Sequence, residues 1–163
     1  SAASDVYKRQ GLGIKTRTLS IIREAMYNVV NNKFGTAYKS RIIDKTKTLA
    51  GKTGTSQIRE ISENERKTGI RKNEELPMAF RDHALFTGYA PYVKPKYAIS
   101  VVVEHGGGGS EVAAPIARDV MLFALSGSVP SLEAYPVNQR SDTLIMLEKI
   151  RNRISLRTQK LGS

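Results

Sequence analysis

Apolar residues recur at helical spacing near the start of the chain. Between residues 18 and 33 the steps between them alternate between three and four positions, which places them on one face of an α-helix. The apolar positions are Leu19, Ile22, Met26 and Val29. We therefore predict an amphipathic helix over 18–33 with this face in the core. Gly35, just beyond it, is typical of a helix end.

Three later segments have the pattern of β-strands. The first begins near Thr48 and carries A-G-K-T-G-T-S-Q over 50–57, the second spans 83–90 and the third spans 97–104. Only residues 91–95 separate the last two, so we predict an antiparallel hairpin. The third strand is almost continuously apolar, which predicts that both of its faces are covered.

A glycine-rich turn over 105–110 and a second helix over 111–125 are predicted to follow. Pro115 lies in the first turn of that helix, where proline is tolerated. The apolar positions assigned to one face of it are Val112, Ile116, Val120 and Phe123. Together these elements predict an α/β domain over 11–125, with antiparallel strands and flanking helices.

The other segments are predicted to lie outside this framework. Residues 1–10 lack periodicity and are predicted to be a non-native or disordered leader. Residues 58–76 carry mixed charges without an apolar face, which predicts an exposed excursion between strands. Residues 126–141 contain two prolines and are predicted as a linker. Residues 142–163 are predicted as a basic helical tail capped by Asp142. Its apolar positions are Leu144, Leu147, Ile150 and Ile154.

Composition narrows the function classes. The chain of 163 residues has 26 Lys and Arg against 15 Asp and Glu, a formal net charge of +11, and no cysteine. Without cysteine, disulfides and thiolate metal sites are excluded. The positive charge is not interleaved with aromatic residues, as it usually is on nucleic-acid surfaces. It favours attraction to an anionic polymer or membrane surface instead.

The first predicted strand carries the candidate chemistry. Lys52-Thr53-Gly54-Thr55 places a cation, two hydroxyls and an approachable backbone on one short edge. Such an edge suits a substrate that has a carboxylate and a carbonyl open to attack. Lys52 and the two threonine hydroxyls can hold the carboxylate, and Gly54 lets a ligand backbone lie close. The backbone N–H of Thr55 can face a developing oxyanion.

Two alternative interpretations of the glycine-containing motifs are disfavoured by their flanks. A phosphate loop ending at Gly51-Lys52-Thr53 needs a glycine where the chain has Thr46. An oxyanion loop at 105–110, like that of lipases, needs a G-x-S-x-G elbow, which the sequence lacks. Lys52-Thr53-Gly54 also matches the K-T-G element of the penicillin-recognising serine enzymes, and the flanking residues must decide whether the match is meaningful.

Five blocks around this element share the order and spacing of one known family. They are MYNVV at 26–30, GTA at 35–37, AGKTGTSQ at 50–57, RDHALFTGYAP at 81–91 and VEHGG at 103–107. Over residues 11–125 the chain thereby resembles the C-terminal part of the transpeptidase domain of class B penicillin-binding proteins, in particular those of cell elongation. The resemblance implies a partial penicillin-binding/β-lactamase-like transpeptidase fold.

The resemblance also implies a chemistry, which is acyl transfer through a serine ester by a peptidoglycan D,D-transpeptidase, the target of β-lactams. It implies catalytic roles for Lys52 and Thr55, and binding of the substrate by Thr53, Gly54 and Thr55. No metal or organic cofactor is implied. Implied partners are peptidoglycan stem peptides, β-lactam antibiotics and a membrane glycosyltransferase of the elongation machinery, with no nucleic acid. The implied location is the periplasmic face of the inner membrane.

Two of the family's three active-site motifs are missing from their expected places. No S-x-x-K occurs in the 163 residues, and the only S-x-N, at 62–64, follows K-T-G, whereas in the family it precedes it. We therefore expect a fragment that lacks the nucleophile and is inactive by itself.

Two other functions stay open from the sequence. A fragment of a serine β-lactamase shares K-T-G, although the Arg81-Asp82-His83 block and the basic tail speak against it. A non-catalytic basic module that binds glycan or a membrane surface needs no nucleophile.

His83 is favoured as a structural residue paired with Asp82 or a backbone carbonyl, rather than as a base or metal ligand. Arg81 is likewise favoured as a structural residue that forms an ion pair.

Overall fold

The computed structural model describes residues 11, 13–61 and 63–161, so the predicted leader at 1–10 lies outside the described residues. The helices are α1 (Thr16–Asn31), α2 (Glu63–Thr68), α3 (Ala114–Ser126) and α4 (Arg140–Leu161). The strands are β1 (Ala50–Ser56), β2 (His83–Ala90) and β3 (Tyr97–Val103). The predicted architecture of helices around antiparallel strands is confirmed.

The three strands form one antiparallel sheet in the order β1-β2-β3. Ala50 lies opposite Tyr89 and Ser56 opposite His83, while Ala84 lies opposite Val103. The hairpin predicted between the second and third strands is therefore confirmed. Within this sheet β1 is an edge strand, so the K-T-G motif lies along a sheet edge.

The prediction that β3 is covered on both faces is wrong. Val101 and Val103 pack against the core, but the alternate residue Val102 is 59% exposed. The run of β-branched residues reflects the preference of such side chains for strands rather than burial on two sides. Strand β3 is the other edge of the sheet and has one covered face.

Helix α1 begins two residues before its predicted start and is only partly buried. Val30 is fully buried and Val29 packs against the core, whereas Leu19 and Ile22 are exposed. Asn31 ties the C-terminal end of the helix to the sheet, because its Nδ2 donates to the carbonyl of Leu49 at 2.9 Å. Periodicity predicted the apolar face, but not how much of that face the domain covers.

Helix α3 is confirmed, but its buried face differs from the predicted one. Ile116 and Val120 are exposed, while Val112 and Phe123 are partly buried against the core. The fully buried hydrophobic positions of α3 are Ala114, Ala117, Met121 and Leu122, and Ala113 just before the helix is buried as well. Small alanine side chains allow a helix to approach a sheet closely, so the buried face is the one with the smaller residues.

The segment 126–141, predicted as a linker, is part of the core. Pro130, Tyr135 and Pro136 are among the largest fully buried side chains. The guanidinium of Arg118 lies 4.8 Å from the centre of the Tyr135 ring, and burial raises the pKa of the Tyr135 hydroxyl. Proline fixes φ, and here it shapes a packed segment rather than a flexible one.

The predicted basic tail is a helix, but its first turns belong to the domain. Helix α4 begins at Arg140, so Asp142 lies in the first turn and not at the cap. Thr143 and Leu147 are buried, whereas all residues from 151 to 157 are exposed. The apolar residues of α4 therefore differ in role along its length.

The excursion 58–76 is largely exposed, as predicted, but it carries structure of its own. It contains α2, whose Glu65 accepts from Arg59 at 2.7 Å and from Arg71 at 2.9 Å. The hydrogen bond from Arg59, reinforced by that from Arg71, lowers the pKa of Glu65 to about 2. Leu76 is buried and anchors the end of the segment.

Candidate active-site strand

Strand β1 runs from the core to the surface, which brings the candidate residues into reach of a ligand. Ala50 and Gly51 are buried, whereas Lys52 and Thr55 are exposed. A Cβ at Gly51 would collide with the ring of Phe86 and would lie 2.7 Å from the carbonyl oxygen of Thr87. Only glycine fits there, so the motif is held tightly against β2 just before it emerges.

Lys52 is a surface cation held near the backbone of its own motif. Its Nζ donates to the carbonyl of Thr53 at 2.6 Å. No carboxylate among the described residues forms a salt bridge with it. Its positive charge therefore remains available to an anionic ligand along the strand edge.

The hydroxyl of Thr53 has a partner that sequence reasoning did not identify as part of the site. Thr36 Oγ1 lies 2.9 Å from Thr53 Oγ1, so one hydroxyl donates to the other. Thr36 follows the end of α1 in the G-T-A block. That block carried the family resemblance, but nothing in its spacing showed that it reaches the K-T-G strand.

Gly54 and Thr55 complete the predicted set on the same strand. Gly54 lies opposite Leu85, and Thr55 opposite Ala84. Thr55 is exposed and can meet a ligand from solvent. The structure thus brings Lys52, Thr53, Gly54 and Thr55 together on one sheet edge, because they are consecutive residues of the seven-residue strand β1.

The two histidines lie together at the end of the sheet where β2 begins and β3 ends. The backbone N–H of His105 donates to Nδ1 of His83 at 2.9 Å, and His105 Nδ1 lies 3.2 Å from the carbonyl oxygen of Arg81. The ring centres are 5.0 Å apart. His83 is thus a hydrogen-bonded residue at a strand start, but its partner is a backbone amide and not Asp82 or a carbonyl.

Arg81, predicted as an ion-pair former, has no salt bridge within the described part of the chain, and both Arg81 and Asp82 contact neutral groups. Arg81 Nε donates to the carbonyl of Leu76 at 3.0 Å. The backbone N–H of Asp82 donates to Asn73 Oδ1 at 2.9 Å, and Asn73 Nδ2 donates back to Asp82 Oδ2 at 3.2 Å. These contacts close the 58–76 excursion onto the start of β2.

The described residues contain neither a cluster suited to a metal ion nor a helix suited to a membrane span. In residues 11, 13–61 and 63–161, no three His, Asp or Glu side chains are grouped in a way that suits a metal ion. Over the same part of the chain, no helix combines the length and apolar character of a membrane span.

Comparison with known proteins defines the class of protein. Residues 3–122 match the family model described as the penicillin binding protein transpeptidase domain. This match covers well over half of the chain, and the fold and the K-T-G edge agree with it. The chain belongs to the penicillin-binding protein transpeptidase family.

The relatives within the family carry a more particular name. The chain is 41% identical over 133 residues to the peptidoglycan D,D-transpeptidase MrdA of Haemophilus influenzae, a match that covers 80% of this chain and 20% of that protein. It is 37% identical over 101 residues to MrdA of Salmonella typhimurium, covering 62% of this chain and 15% of that protein. The matched part of the chain therefore spans only 15–20% of the length of these relatives.

A solved structure of the same type has a similar fold. It is the complex between penicillin-binding protein PBP2 and MreC from Helicobacter pylori, with a TM-score of 0.57 and 33% sequence identity. The similarity covers 77% of this chain and 21% of that one. The resemblance drawn from the five sequence blocks is confirmed.

Proposed function

We propose that this chain is the C-terminal part of a longer peptidoglycan D,D-transpeptidase of the MrdA type, in which β1 forms one wall of the active site. The observation that carries the proposal is the edge of β1, where Lys52 and Thr55 are exposed and Thr53 and Gly54 partly exposed, in a chain that belongs to this family. The nucleophile would come from an S-x-x-K segment outside the 163 residues, since the chain contains none.

In this reaction the serine hydroxyl attacks the carbonyl of the penultimate D-alanine of a stem peptide and forms an ester. The terminal D-alanine leaves with the proton, and an amine of a neighbouring stem peptide then attacks the ester and releases the serine. Both attacks place negative charge on a carbonyl oxygen. The backbone N–H of Thr55 would donate to this oxyanion, and the second donor would be the N–H of the serine.

The side chains of β1 would serve the other end of the substrate. The hydroxyls of Thr53 and Thr55 would donate hydrogen bonds to the terminal carboxylate of the substrate. Lys52 would supply positive potential and support proton shuttling. Thr36 would assist Thr53. When the Thr53 hydroxyl accepts a hydrogen bond from the Thr36 hydroxyl, its own hydrogen remains available to the carboxylate. Gly54 would let the substrate backbone lie beside the strand.

The longer protein would act on the periplasmic face of the inner membrane, anchored by a segment outside this chain, as the family resemblance implies. Its substrates would be stem peptides, and β-lactam antibiotics would acylate the same serine. A membrane glycosyltransferase of the elongation machinery would supply the glycan strands. This partnership rests on the resemblance alone.

A fluorescent penicillin tests the proposal in the longer protein that carries this chain behind its S-x-x-K segment. We expect one covalent adduct per molecule, located by peptide mass spectrometry on the serine of that motif. A folded protein that forms no adduct, or an adduct on a different serine, would overturn the proposal.

A further inference from the structure

The turn that connects β3 to α3 has an unusual backbone. His105 has a φ of 55°, in the left-handed region that residues other than glycine rarely adopt, and Gly107 has a φ of 86°. Two backbone hydrogen bonds hold the turn: the N–H of Gly106 donates to Val103 O at the end of β3 at 3.1 Å, and the N–H of Gly107 donates to Asp82 O just before β2 at 2.8 Å. A conformation of this kind persists only where its surroundings fix it.

The side chain of His83 supplies a further hydrogen bond to this turn. Its Nδ1 accepts from the backbone N–H of His105 at 2.9 Å. An imidazole nitrogen that accepts carries no hydrogen, so a neutral His83 has its hydrogen on Nε2. Nδ1 of His83, a residue of β2, thereby fixes the backbone amide of His105, the residue with the positive φ.

The same turn leads to Gly109, which lies directly against the K-T-G strand. A Cβ at Gly109 would collide with the carbonyl oxygens of Gly54 and Leu85 and would lie 3.1 Å from the nitrogen of Gly54. Backbone is therefore packed on backbone at this point, with no side chain between them to absorb a shift. The position of the 105–109 turn sets the space available to Gly54, which precedes Thr55.

We propose that His83 is a positioning residue of the transpeptidase site, whose Nδ1 fixes the 105–109 turn and, through Gly109, the backbone of Gly54 and Thr55. The link to catalysis rests on the proposed function, whereas the link from His83 to the turn is independent of it. We assign the ring no direct part in the reaction, because its Nδ1 is already occupied by the His105 amide.

Two substitutions separate this role from mere filling of space. Asparagine at position 83 places an acceptor, Oδ1, where the Nδ1 of histidine lies, whereas glutamine places its polar atoms further out. The experiment compares His83→Asn and His83→Gln in the longer protein. Ser100→Ala is the matched control, because Ser100 is an exposed residue of the same sheet.

The first readout is the second-order rate constant of acylation by fluorescent penicillin. We expect His83→Asn and the control to stay within about twofold of the unsubstituted protein, and His83→Gln to lose about tenfold or more, because small displacements of site groups have effects of this size. An unchanged His83→Gln, or a His83→Asn that loses as much as His83→Gln, would overturn the inference.

The second readout is hydrogen–deuterium exchange of peptides covering 103–109, which requires no activity. We expect a protected His105 amide in the unsubstituted protein and in His83→Asn, and faster exchange in His83→Gln. Rapid exchange of this amide in the unsubstituted protein would overturn the inference, even if His83→Gln did not fold. Protection without any acylation of the unsubstituted protein would instead contradict the proposed function and leave the role of His83 in the turn intact.

Discussion

Gly51 and Gly54 lie on the same strand but have different surroundings. A Cβ at Gly51 would meet the Phe86 ring and the Thr87 carbonyl, whereas a Cβ at Gly54 would meet only the Cβ of Leu85, at 3.3 Å. We predict that Gly51→Ala lowers the free energy of unfolding by about 1–3 kcal/mol, the usual cost of overpacking, and that Gly54→Ala costs less. Urea unfolding of the two variants measures the difference, and equal losses would contradict it.

At the residue scale, sequence reasoning found the groups that share one strand and missed those that meet across the fold. Lys52, Thr53 and Thr55 were predictable because consecutive strand residues share an edge. The contact of Thr36 with Thr53 joins residues on different elements, and no local pattern encodes it. The partner of His83 was missed for the same reason, since the His105 amide is 22 positions away.

At the scale of elements, α4 offers a comparison within one helix. Leu147 is 1% exposed, and Leu156 is 59% exposed. We predict that Leu147→Ala destabilises the domain by about 2–5 kcal/mol, as for other buried leucines. Leu156→Ala should stay within about 0.5 kcal/mol, as is usual for surface positions. Thermal or urea unfolding measures both, and a similar cost at the two positions would show that the exposed end of α4 is also packed.

The ion pairs of the 58–76 excursion predict a pH dependence. The arginine partners lower the pKa of Glu65 to about 2 from an ordinary value of 4.5. A lowered pKa means that the carboxylate stabilises the folded segment above about pH 4.5, and that this contribution is lost as the pH falls towards 2. We expect hydrogen exchange of the segment, corrected for its intrinsic pH dependence, to increase over this range.

Glu65→Gln is the control for that measurement. It removes the titrating carboxylate and keeps the size of the side chain. We expect fast exchange of the segment in this variant already at about pH 5, and little further change as the pH falls. The same pH response in both proteins would assign the effect to other carboxylates.

The elements themselves were predictable to different degrees. The strands and the hairpin followed from composition and a short turn, which are local properties. The buried face of α3 could not be predicted from local properties, because the burial of its alanines depends on how closely the sheet approaches the helix. The 126–141 segment was misassigned because proline and serine occur both in linkers and in packed irregular segments. Its apolar and aromatic residues Val129, Leu132 and Tyr135 pack in or against the core.

At the scale of the whole molecule, the proposed function assigns to this chain one wall of an active site, while the 163 residues contain no S-x-x-K motif. Ser56 is the serine nearest to the K-T-G motif along the chain, but Arg59 stands where the lysine of an S-x-x-K motif would be. Arginine is too basic to accept a proton at neutral pH, and Arg59 is paired with Glu65 at 2.7 Å. We therefore predict that the isolated 163-residue chain forms no stable adduct with a fluorescent penicillin. Stoichiometric labelling of the isolated chain would contradict this prediction.

The central claim is that the Lys52 edge of β1 is part of a penicillin-reactive site, and the most direct test is the acylation rate constant of the longer protein with Lys52→Ala. Lys45→Ala removes an equal charge from the surface of the same domain and serves as the control. We predict that Lys52→Ala lowers the acylation rate constant by about 10²-fold or more, which is the lower range for loss of a proton-transfer or oxyanion group. We predict that Lys45→Ala leaves this rate constant unchanged. Equal acylation with and without Lys52, in a protein that folds normally, would contradict the account.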